Sequence, residues 1–292
     1  MILSQTISCA TKFGEEKAIE FIAGAGFDAV DYCMYSIAEK GSPLNGEGYK
    51  KHVLNLCETA KVNGVFFNQA HAVTYVPCDD ESKKHVLLAQ ANIKAIEISR
   101  LMGIKCLVVH PVCTGSYVGN EEKVFQENME YFSMLLPYAE ENGVKLACEN
   151  MWCGDKRRGV RIGSVCSNPY EHIKYVDEMK SEMFVACLDV GHCSIAGREA
   201  QDCIRVLGDR LGALHIHDND YLDDMHTLPG LSEMNWQEIT KALADVGYKG
   251  DFTFETDHFF DSLDSVEETV AGLKLAELIG RKLIKNIEKC RK

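Results

Sequence analysis

Acidic and imidazole side chains stand at the ends of several apolar runs in the second half of the chain. The runs end in the letters KLACE, VACLD, LHIH and FTFE, which place Glu149, Asp189, His217 and Glu255 at corresponding positions. The carboxyl ends of parallel barrel strands meet at one mouth, so these four groups are expected to converge. Alone they would repel one another or stay unsatisfied, whereas a divalent cation satisfies all four. Three carboxylates and an imidazole predict one such cation. Mn²⁺ is the first choice, and Mg²⁺, Co²⁺ and Zn²⁺ are the alternatives.

Two histidines compete for the imidazole position. His215 and His217 point to the same face of their strand, because side chains repeat every two residues. His217 is nearer to the mouth and is the predicted ligand. His215 lies one layer deeper and is predicted to be packed or to support the ligands from behind.

Taken alone, each of these residues has an ordinary structural explanation. A carboxylate that follows a strand is often a helix N-cap, and a lone histidine is often a hydrogen-bonded structural residue. Asp218 and Asp257 need be no more than caps. The explanation weakens for the set, because four successive strands all end in residue types that bind hard cations.

Short β-rich runs alternate with longer helical segments along the chain. Helical spacing is clear in one segment, where apolar residues recur at steps of three and four: Phe125, Met129, Phe132, Leu136 and Ala139. The β-rich runs lie at residues 2–8, 29–33, 65–68, 106–110, 145–149, 184–189, 213–217 and 252–255. Eight alternating units predict an α/β fold, a single (β/α)8 TIM barrel.

A doubly wound open sheet is the alternative to the barrel. Such a sheet normally carries a glycine-rich turn after its first strand, and residues 6–11 contain none. No linker or shift in composition divides the chain. Residues 1–292 are therefore predicted to form one domain.

Composition excludes several classes of protein. With 46% hydrophobic and 26% charged residues in 292, the chain is expected to bury a large core rather than to be disordered. The formal net charge of −13 disfavours a nucleic-acid partner, since such proteins carry basic surfaces. No membrane span or secretory signal is predicted. Thirteen cysteines without a CxxC pair indicate a reducing compartment, the cytoplasm.

Motifs at the predicted strand ends carry a family resemblance. They are His110-Pro111, Glu149-Asn150, LDVGH at 188–192, HIHDND at 215–220, DMHTLPG at 224–230 and FTFET at 252–256. In order and spacing they resemble the xylose isomerase-like TIM barrels, a group of sugar phosphate isomerases and epimerases. That group includes ketose 3-epimerases and inosose dehydratases, and endonuclease IV is a relative. The resemblance covers most of the chain but does not select one substrate.

The resemblance also implies roles for individual residues. It implies metal ligation by Glu149, Asp189, His217 and Glu255, which agrees with the set drawn from the strand ends. It implies that His192 contacts substrate oxygens. Four further residues resemble ligands of the additional zinc ions in endonuclease IV, namely His71, His110, Asp224 and His226.

Two departures disfavour a simple ketohexose 3-epimerase. The stretch LPGLSEMNW has Leu231 and Ser232 where Glu-Gly is typical of the family. The arginine that follows the strand-seven histidine in ketose 3-epimerases is also missing, and Tyr221 follows the acidic stretch instead.

The leading hypothesis is an isomerase or epimerase acting on a small sugar or cyclitol. Glu149 and Glu255 are the candidate bases that remove and return a proton beside a carbonyl, and His110 could share that role. The metal would act as a Lewis acid and stabilise the enediolate. The predicted substrate-binding residues are His71, His192, Trp152 and His226.

Other functions stay open at this point. A lyase would begin with the same proton abstraction and then expel a substituent, with His110, His192 or His226 as the acid. Loop aromatics could stack on its sugar or aglycone: Tyr75, Tyr117 and Trp152. A trinuclear zinc phosphodiesterase is a distant alternative, and a binding protein without catalysis is another. A homo-oligomer or a partner subunit is compatible with the sequence.

Overall fold

Eight parallel strands curve into a nearly closed barrel in the computed structural model, which describes residues 1–78 and 81–291. The barrel strands are β1 (Leu3–Thr6), β2 (Ala29–Cys33), β3 (Phe66–His71), β4 (Cys106–Val109), β5 (Lys145–Glu149), β8 (Phe184–Asp189), β9 (Leu211–His215) and β10 (Phe252–Phe254). Neighbours follow the order β10-β1-β2-β3-β4-β5-β8-β9. A bridge from Ile216 to Phe254 brings the two edges together. The predicted (β/α)8 architecture is confirmed.

Two short strands outside the barrel were not predicted. They are β6 (Trp152–Asp155) and β7 (Val160–Gly163), which pair antiparallel as a hairpin directly after β5. Each has only four residues and most of their side chains are at least partly exposed, so neither produces an apolar run in the sequence. The hairpin stands over the mouth of the barrel because it replaces the usual short loop after β5.

Helices cover the outside of the barrel. They are α1 (Glu15–Ala25), α2 (Tyr49–Val62), α3 (Glu81–Met102), α4 (Glu121–Asn142), α5 (Pro169–Met179), α6 (Val190–Ile195), α7 (Ala200–Leu207), α8 (Trp236–Asp245), α9 (Asp257–Asp261) and α10 (Val266–Cys290). Short 3-10 turns lie at Ile7–Phe13, Tyr35–Ala38 and Gly208–Arg210. Among the described residues, none of these helices has the length and apolar character needed to span a membrane.

The last helix packs directly on the first strand. A Cβ atom at residue 280 would lie 2.6 Å from Cδ1 of the fully buried Leu3, so a larger residue than glycine would have to displace that side chain. Ser265 and Glu268 form a capping box at the start of α10, which satisfies backbone donors at its first turn. These features secure the last helical segment against the barrel wall.

At two strands of the candidate site, the observed strand end lies two or three residues from the predicted one. β3 continues to His71, so that histidine belongs to the strand rather than to the loop after it. β9 ends at His215, two residues before the predicted end. His217 therefore lies beyond the strand, in the segment that leads to a bridge between Asp218 and Thr227.

Candidate active site

A cavity of about 320 Å³ opens at the carboxyl ends of the barrel strands. Most of the predicted site residues line it: His71, His110, Glu149, Trp152, His192, His226 and Glu255. Asp189 and His217 do not line the cavity and are completely buried. These residues are spread over the sequence but close in space. Each one lies at or after the carboxyl end of a parallel strand, and those ends meet at one side of the barrel.

Glu149 is the centre of the site. Its Oε2 atom lies 3.0 Å from Nε2 of His110 and 3.3 Å from Nε2 of His71, and the two imidazole nitrogens are 3.1 Å apart. This oxygen is buried, and among the described residues no contact to it has hydrogen-bond geometry. Three ligand atoms at such mutual distances can form one face of a metal coordination shell.

The other oxygen of Glu149 belongs to a second group. Oε1 of Glu149 lies 2.8 Å from Nδ1 of His215, and Oε2 of Glu255 lies 3.0 Å from the same nitrogen. On the far side of the ring, Nε2 of His215 is 3.7 Å from Oδ2 of the buried Asp31. A carboxylate behind an imidazole orients the ring and makes it a better ligand.

A third group contains the remaining acidic and imidazole residues. The carboxylate of Asp224 lies 3.4 Å from Nε2 of His192 and 3.2 Å from Nε2 of His226. Asp257 contacts the other nitrogen of His226 at 2.8 Å. The ligand atoms of His192, Asp224 and His226 lie within 4.8 Å of one another. Asp257 thus orients a histidine, and the sequence had suggested only a helix cap.

The positions of His215 and His217 differ from the expectation. His215, predicted to lie behind the ligands, is the imidazole that touches both Glu149 and Glu255. His217 instead contacts Asp189, with Nε2 at 3.0 Å from Oδ1, and its ring stacks on His226 at 4.1 Å between ring centroids. Ligation by His217 stays a prediction, whereas the geometry around the two glutamates favours His215.

Asp189 has both a structural and a candidate ligand role. Its side chain accepts a hydrogen bond of 2.7 Å from the backbone N–H of His192, which makes it the N-cap of α6. Its carboxylate also holds His217. Asn150 completes the arrangement, since its backbone oxygen contacts Nδ1 of His192 at 2.8 Å. The loops after β5 and β8 are therefore fastened to each other through His192.

Gly191→Ala is expected to displace His217. A Cβ at residue 191 would lie 1.9 Å from Cε1 of His217, a ring that is completely buried and held by Asp189. We expect the free energy of unfolding to fall by about 1–3 kcal/mol, the usual cost of overpacking. Chemical denaturation measures this loss. The same substitution at Gly24, where a Cβ meets nothing within 4 Å, is the control. Equal stability of both variants would contradict the packing described here.

The carboxylates and imidazoles shift one another's pKa values. Burial alone would raise the pKa of Glu149, but the His215 and His110 imidazoles hold it well below its usual range. Burial would lower the pKa of His192, yet Asp189 and Asp224 raise it to about 10. Burial raises the pKa of Asp31 to about 6 despite the nearby His215. Strong shifts of this kind, concentrated in a cavity, are typical of functional sites.

The donor set fits a divalent cation. Several groups of three ligand atoms within 4.8 Å of one another occur here, including His71 with His110 and Glu149, and His71 with His215 and Glu255. Carboxylates and imidazoles are the ligands that Mn²⁺, Zn²⁺ and Co²⁺ share. Unpaired buried oxygen atoms on Glu149 and Asp224 also favour a bound cation, since a buried polar atom without a partner is costly.

Sequence analysis missed Asp31 and Tyr35, two residues that lie beside the histidines of this site. Asp31 stands behind His215, and Tyr35 lines the cavity with its ring 4.8 Å from that of His71. Asp31 was detectable in principle, because an acidic residue interrupts the apolar strand β2 (AVDYC). Tyr35 lies in a short 3-10 turn and gives no comparable signal.

A family model described as xylose isomerase-like TIM barrel matches residues 19–276. An uncharacterized protein of Methanocaldococcus jannaschii is 28% identical over 194 residues, which are 65% of this chain and 64% of the relative. The D-psicose 3-epimerase of Enterocloster bolteae is 36% identical over 88 residues, 30% of this chain and 28% of that protein. The chain thus aligns with less than two thirds of the length of either relative.

Solved structures resemble the whole barrel. A D-tagatose 3-epimerase-like protein superposes with a TM-score of 0.74 at 20% identity, covering 99% of both chains. The IOLI protein, solved with a bound zinc atom, superposes with a TM-score of 0.73 at 16% identity and also covers 99% of both chains. At these identities the likeness establishes the fold, and the activity has to be argued from the site.

Proposed function

Because the chain belongs to the family of xylose isomerase-like TIM barrels, we propose that it is a divalent-metal-dependent isomerase or epimerase of sugars or sugar derivatives. One observation carries the proposal: Glu149 and Glu255 approach the same nitrogen of His215, at 2.8 and 3.0 Å, beside an open cavity. Two carboxylates from different strands that meet beside a cavity can remove a proton from a bound substrate and return one to it.

Glu149, His215 and Glu255 are the proposed core of the metal site, with Asp189 as the fourth ligand. His215 replaces His217 in this set because its nitrogen contacts both glutamates. A bound divalent cation supplies a Lewis acid that draws charge from a substrate carbonyl and its neighbouring hydroxyl. Asp31 lies behind this set, with its Oδ2 3.7 Å from the far nitrogen of His215.

The two glutamates are the proposed acid and base. Glu149 ends β5 and Glu255 follows β10, and these strands are not neighbours in the barrel. They can therefore address a bound sugar from different sides. One carboxylate removes the proton from the carbon beside the carbonyl, and the other delivers a proton to the same or the adjacent carbon.

Histidines at the cavity wall are the proposed substrate contacts. His110 has 27% of its side chain exposed, more than the other imidazoles of the cavity, so it can reach a substrate oxygen. His192 and His226 are fixed by Asp224, which leaves their ring edges in the cavity wall. His71 and Trp152 complete the predicted set of binding residues.

A lyase is the second candidate, since β-elimination begins with the same proton abstraction. The observation in its favour is that three histidines line the cavity together with the glutamates and can protonate a leaving group: His110, His192 and His226. Proton exchange without net isomerisation, together with release of a substituent, distinguishes this reaction.

A phosphodiesterase is the third candidate and rests on the three ligand groups around Glu149 and Asp224. A site that holds several cations can stabilise both the attacking and the leaving oxygen of a phosphate ester. The net charge of −13 disfavours a nucleic-acid substrate. We therefore place it behind the two sugar reactions.

The proposal is tested by proton exchange. The purified chain, loaded in turn with Mn²⁺, Mg²⁺, Co²⁺ and Zn²⁺, is incubated in D₂O with ketoses, inososes and 3-keto-glycosides, and followed by NMR. We expect metal-dependent deuterium incorporation beside the carbonyl of at least one compound, and its complete loss in excess chelator. Exchange that persists in chelator contradicts metal dependence. Cleavage of a phosphodiester without exchange in any sugar would overturn the proposal in favour of the third candidate.

A further inference from the structure

A second and larger cleft opens beside the catalytic cavity. Its volume is about 930 Å³, against about 320 Å³ for the cavity. It lies between the segment at residues 111–118, which follows β4, and the β6–β7 hairpin. Met151 and Trp152 line both spaces, so the cleft continues directly from the site of proton transfer. A cavity near the lower end of the usual range of about 300–1,000 Å³ holds a sugar ring but not a large conjugate.

The walls of the cleft are largely apolar. Pro111, Tyr117 and Val118 form one wall, and Met151 and Ile162 belong to the other. Val118 has 58% of its surface exposed. Apolar surface gathered in a concave site next to a reaction centre is a usual mark of ligand binding.

The two aromatic side chains of the cleft are held in place. The hydroxyl of Tyr117 donates a hydrogen bond of 2.7 Å to Glu171, so its polar end is satisfied and its ring remains for contact. Nε1 of Trp152 donates to Asp224 at 3.0 Å, and the Arg161 guanidinium lies 4.7 Å from the centre of the indole ring. Rigid aromatic walls bind a flat apolar group with little loss of side-chain entropy.

The rim of the cleft is basic in an otherwise acidic protein. Lys156, Arg157 and Arg158 form the turn of the hairpin and line the cleft. Among the described residues that line it, Asp155 is the one carboxylate, and Arg158 contacts it at 2.9 Å. Three cations against one anion give the rim a positive potential, which attracts an anionic ligand and repels a cationic one.

We propose that this cleft binds the aglycone of an elongated substrate. The sugar occupies the catalytic cavity, and an aromatic or other flat apolar aglycone, neutral or anionic, lies between Tyr117 and the hairpin. The location of the sugar rests on the proposed function, whereas the aglycone site rests on the cleft itself. The enzyme therefore acts on sugar conjugates in preference to free sugars, and it disfavours conjugates with a cationic tail.

Matched glycosides test the site by calorimetric titration of the Mn²⁺-loaded chain. The probes are methyl and phenyl β-D-glucosides and β-D-galactosides, with 4-carboxyphenyl and 4-(aminomethyl)phenyl forms of each. We expect the phenyl glycoside of at least one sugar to bind about tenfold more tightly than its methyl counterpart, from the apolar area it buries. The carboxyphenyl form should bind at least as well as the phenyl form, and the aminomethyl form several-fold less well.

Val118→Asp is the variant that locates the aglycone. A carboxylate in the apolar wall should abolish the phenyl advantage and leave methyl glycoside binding unchanged. Val62→Asp is the matched control, because Val62 is 71% exposed at the end of α2, at the opposite end of the barrel. Lys156→Glu should reverse the preference between carboxyl and aminomethyl forms. Lys285→Glu on α10 should not.

The outcomes separate this proposal from the proposed function. Equal binding of methyl and phenyl glycosides overturns the aglycone site, while proton exchange in a sugar can still support the function. A phenyl advantage that Val118→Asp removes supports the site even if no sugar exchanges a proton. Absence of binding by all probes at millimolar concentration also overturns the aglycone site, and a phenyl advantage that survives Val118→Asp places the aglycone elsewhere.

Discussion

Glu149→Gln is expected to lower the rate of substrate proton exchange by about 10²–10⁴ at saturating metal, the contribution of a positioned acid or base. Glutamine keeps the size and one oxygen ligand of the side chain but loses its charge and basicity. One oxygen of Glu149 contacts His215 and the other lies close to His71 and His110, so the substitution disturbs two ligand groups at once. NMR in D₂O, with metal content measured in parallel, separates lost ligation from lost basicity.

Two companion variants make the Glu149 experiment decisive. Glu255→Gln removes the other candidate base, and in an epimerase that uses two faces each variant could still exchange the proton of one epimer while failing to interconvert the pair. In a lyase with one base, only one of the two substitutions should stop exchange. Glu130→Gln on the exposed face of α4 is the control. Wild-type exchange in both site variants would exclude the glutamates and direct attention to His110.

His215→Ala is expected to weaken metal binding more than about 100-fold, since loss of a ligand should exceed the 10–100-fold cost of losing a supporting residue. His215 is the imidazole that contacts both glutamates, and its removal leaves their carboxylates facing each other. Calorimetric titration with Mn²⁺ measures the change. Circular dichroism checks that the variant folds, because His215 is completely buried.

His217→Ala is the matched comparison for His215→Ala. It removes an equally buried imidazole that contacts Asp189 and stacks on His226. We expect a smaller loss of metal affinity from it. The reverse order, with His217→Ala the more damaging, would restore the ligand set drawn from the sequence and reject the one drawn from the contacts of Glu149 and Glu255.

The contacts of Glu149 also bear on how many cations the site holds. Sequence reasoning led to one ion, with His71, His192 and His226 as substrate contacts and His110 as a candidate acid or base. In the structure these histidines lie at ligand distances from carboxylates, in groups on either side of the glutamate pair. The titration therefore reports stoichiometry as well as affinity. Its value decides between the sugar reactions and the phosphodiesterase.

By itself, the sequence determined the fold and predicted most of the residues that line the candidate site. Eight alternating units predicted the barrel because apolar residues repeat with different periods in strands and in helices. Patterns over a few residues are enough to distinguish the two periods. Glu149, Asp189 and Glu255 could be named because strand ends are visible in sequence and the barrel brings all of them to one mouth.

Only the tertiary structure decided which residue faces which. In the sequence, His215 and His217 alternate as if they shared one face of a strand, so local pattern cannot choose between them. The choice depends on the depth at which Glu149 and Glu255 lie. That depth follows from the stagger of strands around the barrel, including the register shift between Ala186 and Cys187 where β8 pairs with β9. Stagger arises from pairing between distant segments, and no local pattern encodes it. The β6–β7 hairpin escaped prediction for a related reason, because its short strands are stabilised by each other and by the barrel mouth rather than by an apolar run of their own.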